Sequence, residues 1–256
     1  MRKPSFVVFY MAAFLVLAPA LVACTGPQMA CNTPVCLVAH WPMNETSGTS
    51  VADVVANPIF NVGTAIPGPI ASFPGTGGPW TVTGHSNGAL YFPGNGNGYV
   101  KVASTPDLNT VSHFEAWVAP VQCGAGAYYP ILDKWDAATQ NGYTLYLEGV
   151  GPGQVRAVLR IGANTFISNT PFPANFNPST STGTWTHVAV TLDGPYSNFK
   201  VNGSPAGTFT APSGTINNSV ELWIGALQTA PTGLYHCEIA VDEVKIGKLN
   251  STSSQQ

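Results

Sequence analysis

The sequence predicts an all-β protein, a two-sheet antiparallel β-sandwich. Two observations carry that prediction. In "TWTHVAVTLDGPYSNFKVNG" (184–203), Val188, Val190 and Leu192 alternate with Ala189, Thr191 and Asp193. After a Gly-Pro break, Phe199 and Val201 alternate again before Asn202-Gly203. A period of two interrupted by turn residues is the pattern of paired strands with one face buried. The chain also carries 27 Gly and 22 Pro in 256 residues, which favours many short strands over helices.

The elements follow in order. "LVAHWPM" (37–43) reads as a strand and 44–58 as a loop; 65–84 is too rich in Pro and Gly to assign. "GALYFPG" (88–94) and "GYVKVAS" (98–104) pair around a Gly-Asn turn. Strands continue at 113–121, 129–135, 143–149, 155–162 and 164–169. A second breaker-rich loop, 170–183, precedes the 184–203 hairpin, and 207–211, 220–226 and 237–247 complete the series. The expected organisation is a leader over 1–23, a tether over 24–36, one domain over 37–248 and a frayed polar tail over 249–256. No internal linker is long enough to divide the domain. The hairpin is expected to be scaffold, with function carried in loops.

Only 8% of residues are charged and the net charge is −3, against roughly 25% charged in an ordinary soluble domain. Without a cluster of Lys and Arg to displace phosphate counterions, nucleic acid is excluded as a partner. At the N-terminus, Arg2 and Lys3 precede the apolar run 6–23, and "LVAC" (21–24) resembles a bacterial lipobox. That resemblance implies an exported lipoprotein acylated on Cys24, held in the membrane only through its lipid and exposing its domain outside the cytoplasm. Thr25 stands where an Asp would signal inner-membrane retention, so in a Gram-negative cell the outer membrane is expected.

Cys31, Cys36, Cys123 and Cys237 remain, an even number suited to an oxidising compartment, with three possible pairings. Cys123 ends one apparent strand and Cys237 begins another. If those strands are antiparallel neighbours, Cys123–Cys237 is natural and Cys31–Cys36 closes a small loop. Zinc would need convergent thiolates or imidazoles, which these spacings do not imply.

Taken together, "AHWPMNETSGTSVADVVAN", "GALYFPGNGNGYVKV", "FEAWVAPV", "ILDKWD", "GTWTHVAVTLDG", "FKVNG", "ELWIGA" and "VDEVKI" resemble, in order, the laminin G-like, concanavalin A-like jelly roll. The resemblance spans nearly all of 37–247. It implies two stacked antiparallel sheets and a family of lectins, adhesion modules and modules attached to glycan-active enzymes. It also implies a structural Ca²⁺ where an N-terminal loop meets the last strand, at Asp53 with Asn57 and at Asp242. The departure is "FPGNGNGYV", where the family often carries carboxylates. A turn role for Asp53 and a strand-end role for Asp242 stand beside the metal reading.

Catalysis on such a fold would need two carboxylates about 5–9.5 Å apart. The E-x-D-x-x-E pattern of related glucanases is absent. Glu238 and Asp242 on one strand lie roughly 13 Å apart, Asp242 and Glu243 are expected on opposite faces, and Glu115, Glu148 and Glu221 stand alone on their strands. A non-enzyme is expected. His187 is expected to pack between strands, as are Trp41, Trp117, Trp185 and Trp223. For binding, the loop aromatics matter: Tyr128, Tyr129, Trp135 with Asp136, and also Trp80, Phe172 and Phe176. The expected function is a non-catalytic, lectin-like surface domain taking carbohydrate, with protein adhesion and glycan hydrolysis or lysis as alternatives.

Overall fold

The computed structural model describes residues 33–55, 61–72, 78–94, 98–211, 216–228 and 236–250. The chain divides into two units, Met1–Ala30 and Cys31–Gln256. The leader, the lipidation position Cys24, and also Cys31 and Asn57, lie outside the described residues.

Among the described residues the second unit contains eighteen strands: β1 (Val35–Trp41), β2 (Ser50–Val51), β3 (Gly63–Ile66), β4 (Ala71–Ser72), β5 (Trp80–Thr83), β6 (Gly88–Phe92), β7 (Tyr99–Val102), β8 (His113–Pro120) and β9 (Tyr128–Asp136). They continue as β10 (Asn141–Gly151), β11 (Gln154–Ile161), β12 (Asn164–Ile167), β13 (Phe172–Pro173), β14 (Thr186–Thr191), β15 (Ser197–Val201), β16 (Ser204–Phe209), β17 (Leu222–Ile224) and β18 (Ile239–Leu249). Sheet I runs β16-β15-β14-β8-β18-β6-β5-β4, with β1 also on β18; sheet II runs β12-β11-β10-β9-β17-β7-β3-β2, with β13 also on β11. Pairing is antiparallel except between β4 and β5. The predicted two-sheet sandwich is therefore the observed architecture. None of the described helices is long and apolar enough to cross a membrane.

Alternation explains the layers. On β8, Phe114, Ala116 and Val118 enter the core, as do Val188 and Val190 on β14 and Phe199 and Val201 on β15. From sheet II, Tyr143, Leu145 and Leu147 on β10 and Val155, Ala157 and Leu159 on β11 meet them. Such burial contributes about 25 cal/mol per Å² of apolar surface. β1 starts at Val35, inside the expected tether, because Val35 pairs with Leu249 at the end of β18.

Two features locate the site. Cys123, after β8, is bonded to Cys237, before β18, and those strands are neighbours, as the sequence argument requires. Cys36 is also disulfide-bonded. The second feature overturns an expectation. β18 is bulged against β8, with Asp242 opposite Trp117 but Lys245 opposite Glu115, and Glu243 sits at φ 51°. Val241 and Val244 both enter the core. The two residues between them, Asp242 and Glu243, thus share the outer face instead of lying on opposite faces; re-aiming a side chain is what one extra residue does.

At the end of the sandwich, Lys134 on β9 is wholly buried. Its ammonium donates to Ser104 Oγ (3.0 Å), Asn218 O (3.0 Å), Asn218 Oδ1 (2.6 Å) and Val220 O (2.8 Å). Burial pulls its pKa down to about 8.

Candidate functional site

The outer face of sheet I is unusual for a chain with so few charges. Its apolar end is a small second core of Val82, Ala89, Tyr91, Ala119, Phe176 and Ala240, against which Trp80, Val121 and Trp185 pack. Phe176 arrives from the breaker-rich loop. Its N–H donates to Pro120 O at 3.0 Å, and its ring meets Trp185 edge-on at 5.8 Å. The loop is closed at its base by Asn175, which accepts from Thr184 N (2.8 Å) and donates to Thr184 Oγ1 (3.1 Å). Gly183 permits this path: at φ 153° it lies so near Phe176 that a Cβ would come within 2.6 Å of Phe176 Cα.

Beside this cap, Trp117, Trp185, His187, Asn202 and Gly203 line a shallow cleft of about 500 Å³. Strand order assembles it. β14 lies next to β8, so His187 stands opposite Trp117. Asn202 and Gly203 turn the β15–β16 hairpin with positive φ at both positions, the conformation that favours Asn-Gly. Asn202 is tied to β14 by a bond from its N–H to His187 O and by its Oδ1 accepting from His187 N, each 2.8 Å. The Trp117 indole carries His85 stacked on it, centroids 3.4 Å apart and nearly parallel, and His187 at 5.1 Å with a tilt of 46°.

The face then becomes ionic. Glu115 Oε2 lies 3.3 Å from His113 Nε2 and 3.6 Å from His187 Nε2, and Glu115 Oε1 is 2.9 Å from Lys245 Nζ. Contacts with His113 and His187, then Lys245, hold the Glu115 carboxyl far below the usual carboxylate range, so it stays ionised. Glu243 pairs with His40 at 2.7 Å. Asp242 is 0% exposed. Its Oδ2 accepts from Ser86 N at 2.8 Å, and its Oδ1 is buried without a hydrogen-bond partner. Burial pushes its pKa up to about 6, with the charge of Glu243 adding to the rise.

The predicted site residues fall elsewhere. Asp53 accepts at Oδ1 from His40 N and Val55 N (both 3.0 Å), and at Oδ2 from Asn61 N (3.0 Å) and Asn61 Nδ2 (3.4 Å). It therefore ties Val55 and Asn61 to β1 through His40, and it shares no hydrogen-bond partner with Asp242 among the described residues. No group of three His, Cys, Asp or Glu suited to a metal occurs among the described residues. Tyr128, Tyr129, Trp135 and Asp136 all lie in β9, because the strand runs through both expected loops. Tyr129 is a fully buried core residue whose hydroxyl accepts from Cys123 N, which removes it as a ligand contact. Trp135 is 4% exposed, with the Arg160 guanidinium lying over its ring at 3.7 Å. Tyr128 is half-buried against Tyr146. Asp136 accepts from Ala138 N and Thr139 Oγ1 and caps a turn.

Of the tryptophans expected in the core, Trp41 is there. Trp117, Trp185 and Trp223 are instead half-buried, Trp223 stacked on Tyr99 at 4.2 Å. The missed signal was parity: with Val188 and Val190 inward, Trp185 and His187 had to face outward.

Residues 93–253, well over half of the chain, match the family described as the concanavalin A-like lectin/glucanases superfamily. The chain belongs to that superfamily. Among curated protein sequences no match to this superfamily member was found. Solved structures share its fold. Domain 4 of AbnA, a GH43 extracellular arabinanase from Geobacillus stearothermophilus in complex with arabinotriose, is 15% identical, with TM-score 0.52 over 85% of this chain and 96% of that one. The receptor binding domain of botulinum neurotoxin C/D mosaic serotype is 11% identical, with TM-score 0.52 over 84% and 48%. The binding domain of Paraclostridial Mosquitocidal Protein 1 is 14% identical, with TM-score 0.51 over 82% and 51%. This concanavalin A-like chain spans about half the length of the two toxin chains.

Proposed function

We propose that this chain is an exported lipoprotein, anchored through Cys24, whose domain is a non-catalytic, lectin-like module that takes carbohydrate in the cleft between Trp117 and Trp185. One observation carries the reading: two indoles converge there with an imidazole and the Asn202-Gly203 turn. Apolar C–H faces of a sugar ring pack on indole faces, while imidazole and amide groups read its hydroxyls. The cleft volume suits one or two sugar rings. The AbnA domain of the same fold, solved with arabinotriose, supports the ligand class. The Glu115 carboxylate, closed by His113, His187 and Lys245, is engaged in structure and not poised as a general acid or base, which supports binding without catalysis.

Calcium remains part of the proposal at Asp242 alone. Its buried, unpartnered Oδ1 is a hard oxygen donor of the kind Ca²⁺ takes; Asp53, with both oxygens occupied, does not fit beside it. The test is a glycan array probed with the full-length chain in mild detergent, with Ca²⁺ and then EDTA, alongside Trp117→Ala and Trp185→Ala. Specific binding lost in both variants supports the cleft, and a melting temperature lowered by EDTA supports the metal. Binding that survives both substitutions refutes the cleft, and a blank array from folded protein redirects the search to a protein partner.

A further inference from the structure

The outer face of sheet II offers a second set of groups with a different chemistry. Val155, Ala157, Leu159 and Ile161 of β11 enter the core, so Arg156, Val158 and Arg160 point outward. Their cross-strand partners on β10 are Glu148, Tyr146 and Thr144. Arg156 is satisfied, its Nε and Nη2 donating to Glu148 Oε2 at 3.0 and 2.8 Å. Arg160 is not. Among the described residues its guanidinium makes no hydrogen bond and no ion pair, only the contact with the Trp135 ring. Asp133, whose titration Arg160 influences, is closed by Thr144 Oγ1 and Gln228 N.

A guanidinium held 3.7 Å over an indole centroid is already restrained, so little freedom remains to lose on binding. On the same face, two residues along β10 from Thr144, the partner of Arg160, Tyr146 lies 5.1 Å from Tyr128, and neither hydroxyl has a hydrogen-bond partner among the described residues. Burial pushes the Tyr146 phenol up to about 12, with Tyr128 and Glu148 adding to the rise and both Arg160 and Arg156 opposing it. Both cations therefore act on the ring between them.

We infer that the outer face of sheet II is a binding site for a carboxylate-bearing saccharide, with Arg160 forking the carboxylate and the Tyr146–Tyr128 pair supporting the sugar ring. Planar, bidentate pairing of carboxylate with Arg is strong and geometrically selective. The phenols, without hydrogen-bond partners among the described residues, supply donors for ring hydroxyls, and Val158 and Pro130, buried opposite Tyr146 in the sheet, back its ring. This site lies on the other sheet from the Trp117 cleft and does not depend on it.

The test uses the full-length chain labelled with ¹⁵N, titrated with tetragalacturonate against its methyl ester and with 3′-sialyllactose against lactose. The two pairs separate a hexuronate source of the carboxylate from a sialic acid source. At least one acid is expected to bind about tenfold or more tightly than its neutral counterpart, weaken with salt, and shift the indole N–H resonance of Trp135. Arg160→Gln should remove the preference and Arg160→Lys should retain only part of it, both melting within about 2 °C of the parent as surface substitutions do. Equal affinity for acid and neutral sugar, an acid preference intact in Arg160→Gln, or no binding of either acid at millimolar concentration would overturn the inference.

Discussion

Replacing Lys134 with Met tests the view that a single buried ammonium holds one end of the sandwich together. The side chain is wholly buried and touches four oxygens, three of them on Asn218 and Val220 and one on Ser104. Met fills much of the same volume, but Asn218 Oδ1 and Val220 O lose this donor, while Asn218 O keeps the one from Ser104 Oγ at 3.4 Å. That makes Lys134→Met the removal of a shared donor from neutral buried acceptors, which at about 1–3 kcal/mol for each one left unsatisfied comes to about 3–5 kcal/mol. For a domain of this size roughly 2–4 °C accompanies each kcal/mol, so the melting temperature should fall by roughly 6–20 °C. A second reading comes from pH. With a folded pKa of about 8 against 10.5 unfolded, folding disfavours the charged amine. The penalty is complete below pH 8 and is relieved as pH rises toward 10.5, an alkaline gain of about 3 kcal/mol from this group. Circular dichroism melts of parent and variant from pH 7 to 10 should show that gain in the parent alone. A variant that melts at or above the parent at pH 7 would refute the account, as would identical pH slopes.

Three further outcomes follow from the same geometry. Asp133 has its pKa raised by burial from 3.8 to about 6, so its penalty applies above pH 6 and disappears as pH falls toward 4. Melts should rise on acidification from pH 7 to 5 by an amount worth about 1.3 kcal/mol from this group, and Asp133→Asn should flatten that slope. Removing the Cys123–Cys237 bridge, which spans 114 residues, should cost about 4–5 kcal/mol on the chain-entropy estimate; urea unfolding of the Cys123→Ala, Cys237→Ala double variant reads it directly. Gly183→Ala, which forces a Cβ against Phe176 at a backbone angle that favours glycine, should cost about 1–3 kcal/mol and loosen the 174–185 loop, seen as faster amide exchange there.

Much of the candidate site was legible residue by residue, yet its assembly was not. Trp117 and Trp185 were visible as strand tryptophans, but hydrophobicity alone argued for the core, and only the parity against Val188 and Val190 argues outward. Tyr129 and Trp135 failed as loop residues because the apolar run between them does not mark where a strand ends. Residues 65–84 resist assignment because their Pro and Gly leave only short pieces among the described residues, β5, which pairs with β6, and β4, which pairs with β5.

What the sequence determined by itself are the properties local chemistry controls. The two-residue alternation of β8 and β14 and the Asn202-Gly203 turn follow from nearest-neighbour sterics and short-range geometry, whereas the Cys123–Cys237 pairing depended on β8 and β18 being neighbours. The tertiary structure alone decided what stands next to what. His187 meets Trp117 because β14 pairs with β8 across some seventy residues of intervening chain. Asp242 and Glu243 share a face because β18 bulges where it is squeezed between β8 and β1. Arg160 lies over Trp135 because β11 pairs with β10 and β10 in turn with β9. Strand order and register are chosen by burial summed over both sheets, and no short window of residues contains that sum.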